Sequence, residues 1–167
     1  MAQLEAIRKL SATDQVDGFD YVQPALNQFL QRQALNNQRA NSAQTYVCCE
    51  NGRVLGFYSL TVGSVDHEDA PERVVKGLAR HPVPVMLLAR LAVDQRFQRR
   101  GMGAALLKDA LRRTMQAAGI AGIRAVLVHA KDDSAQQWYR GFDFKSSPTD
   151  PYHLYLLLKD LKLVLSI

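Results

Sequence analysis

The sequence predicts a mixed α/β fold whose sheet is partly antiparallel. Three observations predict it. Asn51-Gly52 lies between two β-rich runs and reads as a hairpin turn. Val83 to Val93 reads as one long buried strand, and the stretch from Gly103 to Ala118 repeats its apolar residues at helical spacing.

Taken in order, Pro24 to about Asn36 is a helix, with Leu26, Phe29, Leu30 and Ala34 at helical spacing and Pro24 at a first helical position. Thr45 to Cys49 and Val54 to Val62 are the hairpin strands. His67 to Arg80 is charged and either helical or irregular. After the Val83 strand comes the helix from Gly103 to Ala118. Its expected apolar stripe is Leu107, Leu111, Met115 and Ala118, with Lys108, Arg112, Arg113 and Gln116 facing away and Gly119 as the stop. Ile123 to His129 is a strand, and Asp133 to about Tyr139 is a short helix capped by Asp132 or Asp133. Tyr152 to Leu158 is the last strand. No repeat or Pro/Gly/Ser-rich linker interrupts the 167 residues, so residues 1–167 read as a single domain.

Composition excludes several classes. Hydrophobic residues make up 47% and charged residues 22%, which excludes a disordered chain. Cys48 and Cys49 are adjacent, a poor disulfide pair and too few for a zinc site, so no metal is expected. No apolar run approaches the ~20 residues that cross a membrane, and Met1 to Leu10 lacks the apolar core of a signal peptide. The expected location is cytoplasmic. The net charge of +5 is uneven: residues 90–145 hold eleven basic against five acidic side chains. That surplus is either a solvated surface or a site for phosphates or nucleic acid.

The stretch from Leu91 to Leu107 carries the chemistry. A buried strand ends, a basic loop follows, and a helix begins within the glycine run at Gly101 and Gly103. A helix start offers unpaired amides and partial positive charge, and glycines let a phosphate approach the backbone. With Arg99 and Arg100 this makes a pyrophosphate cradle. It is not a Walker A loop, since no Gly-Lys-Ser/Thr follows, and not a dinucleotide fingerprint, since Leu106 stands where its third glycine belongs.

Gln98-Arg99-Arg100-Gly101-Met102-Gly103 resembles the Gln/Arg-x-x-Gly-x-Gly/Ala acetyl-CoA signature of the GNAT superfamily of N-acetyltransferases. Ala135 to Phe144 resembles the late helix of that superfamily, with its Ala…Tyr…Gly-Phe pattern, although Asp143 precedes Phe144 where the family usually has glycine. Gly56 to Leu60, Pro84 to Asp94, Val128-His129-Ala130 and an early Phe19 followed by Phe29-Leu30 are similar to the TacT/AtaT-type toxins of type II toxin–antitoxin systems. The resemblance implies a GNAT fold, a central mixed, mostly antiparallel sheet splayed between strands four and five and flanked by helices. It implies an acetyl-CoA-dependent N-acetyltransferase that acetylates the α-amino group of aminoacyl-tRNA and blocks translation. A ribbon-helix-helix antitoxin would neutralise it, promoter DNA would be met only through that antitoxin, and homodimers are usual in the group.

The resemblance also assigns roles. Leu91, Ala92 and Val93 would hold pantetheine, and Gln98, Arg99, Arg100, Gly101, Met102, Gly103 and Ala104 the pyrophosphate. A strand-four N–H would stabilise the oxyanion. Tyr139 would be the general acid, because a phenol of pKa ~10 stays protonated at neutral pH and can donate to a thiolate of pKa ~8.5. Trp138 is expected in the core or a pocket wall, and Asp94 at a turn. No Glu or Asp lies within Val83 to Val93. An α-amine of pKa ~7.8 is about a third neutral near pH ~7.5, whereas a lysine amine is only ~0.1% neutral. A site with a weak base therefore suits an α-amine. Water chains can act as base; His129 is either a relay or a satisfied strand-end histidine. Arg32, Arg39, Arg90, Arg96, Lys108, Arg112, Arg113, Arg140 and Lys145 divide between tRNA contacts and solvated surface. Two other readings stand beside this one: an acetyltransferase acting on a small-molecule or protein amine, and a non-catalytic partner that binds acetyl-CoA and an antitoxin.

Overall fold

The hairpin turn forms where the sequence places it. Asn51 and Gly52 both adopt left-handed φ, 53° and 77°, the geometry of a two-residue turn whose twist matches its strands. In the computed structural model, which describes residues 4–166, this turn joins β2 (Gln44–Glu50) to β3 (Arg53–Val65). The other strands are β1 (Arg8–Lys9), β4 (Val83–Val93), β5 (Ala125–His129), β6 (Lys145–Ser146) and β7 (His153–Leu157). They form a seven-stranded mixed sheet in the order β1-β2-β3-β4-β5-β7-β6. The first three residues of the N-terminal stretch read above as lacking a leader, and Ile167, lie outside the described residues. Among the described residues no helix is long and apolar enough to cross a membrane.

The chain falls into two compact units: the residues up to Thr61 with Ala89–Ala110, and Val62–Leu88 with the chain from Leu111. β3, β4 and the long helix α4 (Met102–Ala118) each pass from one unit into the other.

In the first unit, α1 (Pro24–Gln28) and α2 (Ala34–Arg39) are joined through a π-helical turn at Phe29–Gln33. The predicted helix is thus one helical run with a wide turn in its middle. Phe29, Leu30 and Ala34 from this run pack with Leu10, Phe19, Val47, Cys49, Val54, Phe57 and Ala92. Phe19 and Phe29 both lie against the Phe57 ring, at 5.4 and 6.1 Å between centroids. The β2–β3 register slips between Cys48 and Cys49, a bulge. Both thiols are buried and free. Burial raises both, that of Cys49 to about 12, so neither is a ready nucleophile.

In the second unit, β4 and β5 pair in parallel from Val85↔Ala125 to Leu88↔Val128. The ladder stops there; β5 ends one residue later at His129, while β4 runs on to Val93. β5 pairs antiparallel with β7 across five positions. The stretch after β3, expected to be helical or irregular, holds a 3-10 turn at His67–Asp69 and α3 (Glu72–Val75). Val74 joins Ala70, Val83, Val85, Ala125, Leu127, Tyr155 and Leu157 in a second core. Arg124 holds α3 in place by donating to Val74 O at 2.7 Å and Lys76 O at 3.1 Å.

The stripe expected on α4 is shifted. The buried residues are Met102, Leu106, Leu107, Ala110, Leu111 and Thr114, while Met115 and Ala118 are only partly buried. Small residues at 104, 105 and 110 obscure the apolar period in the sequence, and Thr114 takes the place of an apolar side chain. α5 (Asp133–Arg140) starts at a true cap: the Asp132 carboxylate accepts from the Ala135 amide at 2.8 Å. α6 (Leu161–Leu165) closes the chain and was not foreseen.

Candidate active site

The predicted cradle lies wholly in the first unit. β4 ends at Val93, and Asp94 caps the 3-10 turn Gln95–Phe97. Asp94 is completely buried. Its Oδ2 accepts from the Asp20 amide at 2.9 Å and its Oδ1 from the Arg96 amide at 2.9 Å. The Arg96 side chain donates to both carboxylate oxygens and to Gly18 O. Burial pushes the Asp94 carboxyl up, but the hydrogen bonds from the Arg96 side chain and from the two amides outweigh it and hold the pKa below the ordinary value. Asp94 is thus a turn residue, as expected, and also the anchor that ties the loop to the Gly18–Asp20 segment. Gln95 adds to this by donating from its amide to Asp20 O at 2.9 Å.

Beyond that anchor the loop opens. Gln98 donates through Nε2 to Val93 O at 3.0 Å, closing the loop onto the end of β4. Arg99 and Arg100 are exposed. The Arg100 guanidinium lies 5.5 Å from the centre of the Phe97 ring. Arg99 and Gly101 both take left-handed φ, 64° and 83°. For an arginine this conformation costs about 1–2 kcal/mol, strain of the kind that functional loops hold. A Cβ built on Gly101 meets nothing within 4 Å, so space is open in front of the turn. The first bond that α4 closes is from Ala105 N–H to Gly101 O at 3.0 Å. The amides of Met102, Gly103 and Ala104 therefore sit in the helix's first turn, where no intrahelical acceptor exists. Two exposed arginines, a left-handed glycine with open space beside it and a 17-residue helix's first turn fit a diphosphate. Leu91 is partly buried, and Ala92 and Val93 are buried.

Tyr139 lies in the second unit, on α5. It is 9% exposed, with ring centroids 5.0 Å from Trp138 and 5.4 Å from Phe144, both edge-on. Its carbonyl accepts from the amides of Phe142 and Phe144. Asp143 adopts φ 72°, a left-handed conformation that glycine takes without strain and aspartate more readily than most residues. Trp138 is 37% exposed, so of the two expected positions, core or pocket wall, the core is excluded: it packs edge-on against Tyr139 and Phe142 with part of the ring in solvent.

His129 ends β5 and stacks on His153 of β7, with ring centroids 4.1 Å apart and planes 19° apart. The β5–β7 register places the two histidines directly opposite each other. Burial, and then the neighbouring His153, lower the His129 pKa below its ordinary value, with Asp150 acting the other way. His153 went unnoticed in the sequence because only the register reveals it. Among the described residues no three His, Cys, Asp or Glu side chains converge as a metal site.

Several of the arginines considered for tRNA are already engaged. Arg90 stacks on the Phe29 ring at 3.7 Å, Arg96 is tied to Asp94, and Arg140 donates to Ser146 Oγ at 2.8 Å.

Known proteins resemble the whole chain. Residues 41–146 match the family model described as an acetyltransferase (GNAT) domain. A tRNA-acetylating toxin of Mycobacterium tuberculosis is 48% identical over 162 residues, 97% of each chain. The structure of AtaT complexed with acetyl-methionyl-tRNAfMet superposes with a TM-score of 0.90 at 26% identity, covering 97% of this chain and 99% of that one. A tyrosine-to-phenylalanine mutant of the AtaT toxin, bound to the C-terminus of the antitoxin AtaR and to acetyl-CoA, gives a TM-score of 0.83 at 25% identity over 98% and 99% of the two chains.

Proposed function

Since the chain belongs to the GNAT family of acetyltransferases, we propose that it is a toxin that carries the acetyl group of acetyl-CoA to the α-amino group of aminoacyl-tRNA and so stops translation. The observation that carries this reading is the end-to-end likeness to a tRNA-acetylating toxin. The loop geometry supports the cosubstrate. Arg99, Arg100 and the amides from Gly101 to Ala104, with Gln98 pinning the loop to Val93, would hold the diphosphate, and the backbone of Leu91, Ala92 and Val93 the pantetheine. Acetyl-CoA supplies an activated acyl thioester.

The chain's own residues supply the rest. Asp94 and Arg96 fix the turn from which the cradle loop departs, which reduces the ordering needed when the anion arrives. Tyr139 is the proton donor to the departing thiol: a phenol of pKa ~10 is protonated at neutral pH. The surplus of basic side chains in residues 90–145 attracts tRNA phosphates, which makes tRNA binding salt-sensitive. The protein acts in the cytoplasm, where charged tRNA is found. A ribbon-helix-helix antitoxin neutralises it and carries the complex to promoter DNA, and the chain works as a homodimer.

The test is expression of the chain alone and with Tyr139→Phe, followed by incubation of each purified form with labelled acetyl-CoA and either charged or uncharged total tRNA. The reading requires growth arrest, and label on charged tRNA only, with both lost in Y139F. Label on uncharged tRNA, or arrest unaffected by Y139F, contradicts it.

A further inference from the structure

A cavity of about 530 Å³ opens within the second unit. Its apolar floor is Val85 and Leu87 of β4, Leu127 of β5 and Tyr155 of β7. The registers set Leu87, Leu127 and Tyr155 in one row across three strands, and His129 and His153 in the next row. Asp66, Asp69 and Asp150 complete the lining, and no lysine or arginine is among the described residues that line it. In a chain of net charge +5 this is a cationophilic hollow with a greasy base.

Two imidazoles meet in this hollow. The two rings are stacked face to face, so neither donates to the other. His153 Nε2 lies 3.4 Å from Asp150 Oδ2, which places a carboxylate beside the stacked rings, where it favours a proton on His129. Asp66 and Asp69 face the same hollow. The Tyr155 hydroxyl, pushed up to about 12 by burial and by Asp69, stays protonated and does not compete for the proton. With its own pKa lowered, His129 is neutral near pH ~7 and available as an acceptor.

We propose that this cavity receives the amine of the aminoacyl group and that His129, stacked on His153 beside Asp150, takes the proton that the amine gives up. The proposal rests on the tRNA-acetylating reading. The amine's lone pair forms the N–C bond to the acyl carbon. The C–S bond of the thioester breaks with its electrons on sulfur, which takes a proton from an acid. The proton lost by nitrogen passes to His129 and on to solvent. The nitrogen becomes strongly acidic as its bond to carbon forms, so a weak base suffices. The apolar floor takes the amino-acid side chain. Gly63 lines the wall, and a Cβ there meets only Val85 Cγ2 at 3.9 Å, an ordinary contact, so position 63 has room for a side chain to start beside the cavity.

Two readouts test this on the full chain. The first is kcat/KM on charged tRNA from about pH 5 to about pH 8 for the wild type, His129→Gln and His153→Gln. Two groups must lose protons in the wild type, the substrate amine and His129, so its rate falls on the acid side with a slope of about two. H129Q is slower by about 100-fold or more and falls with a slope of about one. H153Q moves the acid limb. The second readout is the imidazole NMR signals of His129 and His153 during titration with a non-reactive aminoacyl-adenosine amide. The proposal predicts that both shift and that Gly63→Leu abolishes the shift for bulky amino acids first. An H129Q profile that superimposes on the wild type's, or imidazole signals that stay fixed at the amide's solubility limit, overturns the proposal alone. No label on charged tRNA with the wild-type chain overturns the underlying reading and the proposal with it.

Discussion

The Asp94 carboxylate is clasped by the Arg96 guanidinium, Nε to Oδ1 at 2.9 Å and Nη2 to Oδ2 at 2.8 Å, two residues apart in sequence. The carboxylate is fully buried whereas the arginine is about half exposed. The clasp fixes the turn from which the cradle loop departs. Replacing Asp94 by Ala leaves the Asp20 and Arg96 amides without this acceptor and the Arg96 guanidinium without its carboxylate. It is expected to destabilise the fold by about 2 kcal/mol or more and to weaken acetyl-CoA binding, read by urea unfolding and calorimetry. The pH dependence follows from the sign of the shift. The folded pKa lies below 3.8, so the contribution is complete above that value and is lost as pH falls through the lower, folded pKa. D94N is expected to unfold with a shallower acid limb than the wild type.

Arg99 separates stability from binding. Its φ of 64° suits glycine better. Arg99→Gly is expected to keep or slightly raise the melting temperature, since about 1 kcal/mol of strain is released, while acetyl-CoA affinity falls. Reversing both charges, Arg99→Glu with Arg100→Glu, is expected to reduce that affinity by about tenfold or more. An unchanged calorimetric titration contradicts the cradle assignment.

Gly56 permits a close approach. A Cβ there would lie 2.9 Å from Leu106 Cδ1, 3.1 Å from Met102 Sδ and 3.4 Å from Ala92 O. Leu106 is fully buried and has little room to yield. Gly56→Val is expected to cost about 1–3 kcal/mol by overpacking. Because Met102 starts the helix of the cradle, acetyl-CoA binding falls with it. Thermal unfolding and calorimetry on the same sample check both.

Tyr139→Phe removes one hydroxyl from a buried ring that keeps its edge contacts with Trp138 and Phe144. The expected result is a kcat lower by about 100-fold or more with acetyl-CoA affinity unchanged. A loss of affinity equal to the loss of kcat makes Tyr139 a packing residue.

The sequence carried the features whose cause is local. Asn51-Gly52 has a turn type that few other pairs adopt, Val83 to Val93 matches β4 end to end, and the Gln98 to Gly103 motif lies in six residues of loop and helix start. What it hid depends on residues far apart. The Asp94 carboxylate needs the amide of Asp20, 74 positions away. His129 meets His153 only through the β5–β7 register. The stripe on α4 was misplaced because Thr114 is buried and Met115 is not. The π-helical turn at Phe29–Gln33 left no mark in apolar spacing, since both Phe29 and Leu30 stay buried through it.

The most direct test locates the transferred group. Charged tRNA treated with the protein and acetyl-CoA is hydrolysed at its ester bond, and the released amino acids are weighed by mass spectrometry. An α-N-acetyl amino acid, absent with Tyr139→Phe, is the predicted product. Free amino acids unmodified while the acetyl group sits on nucleobases, or on protein amines alone, would contradict the account.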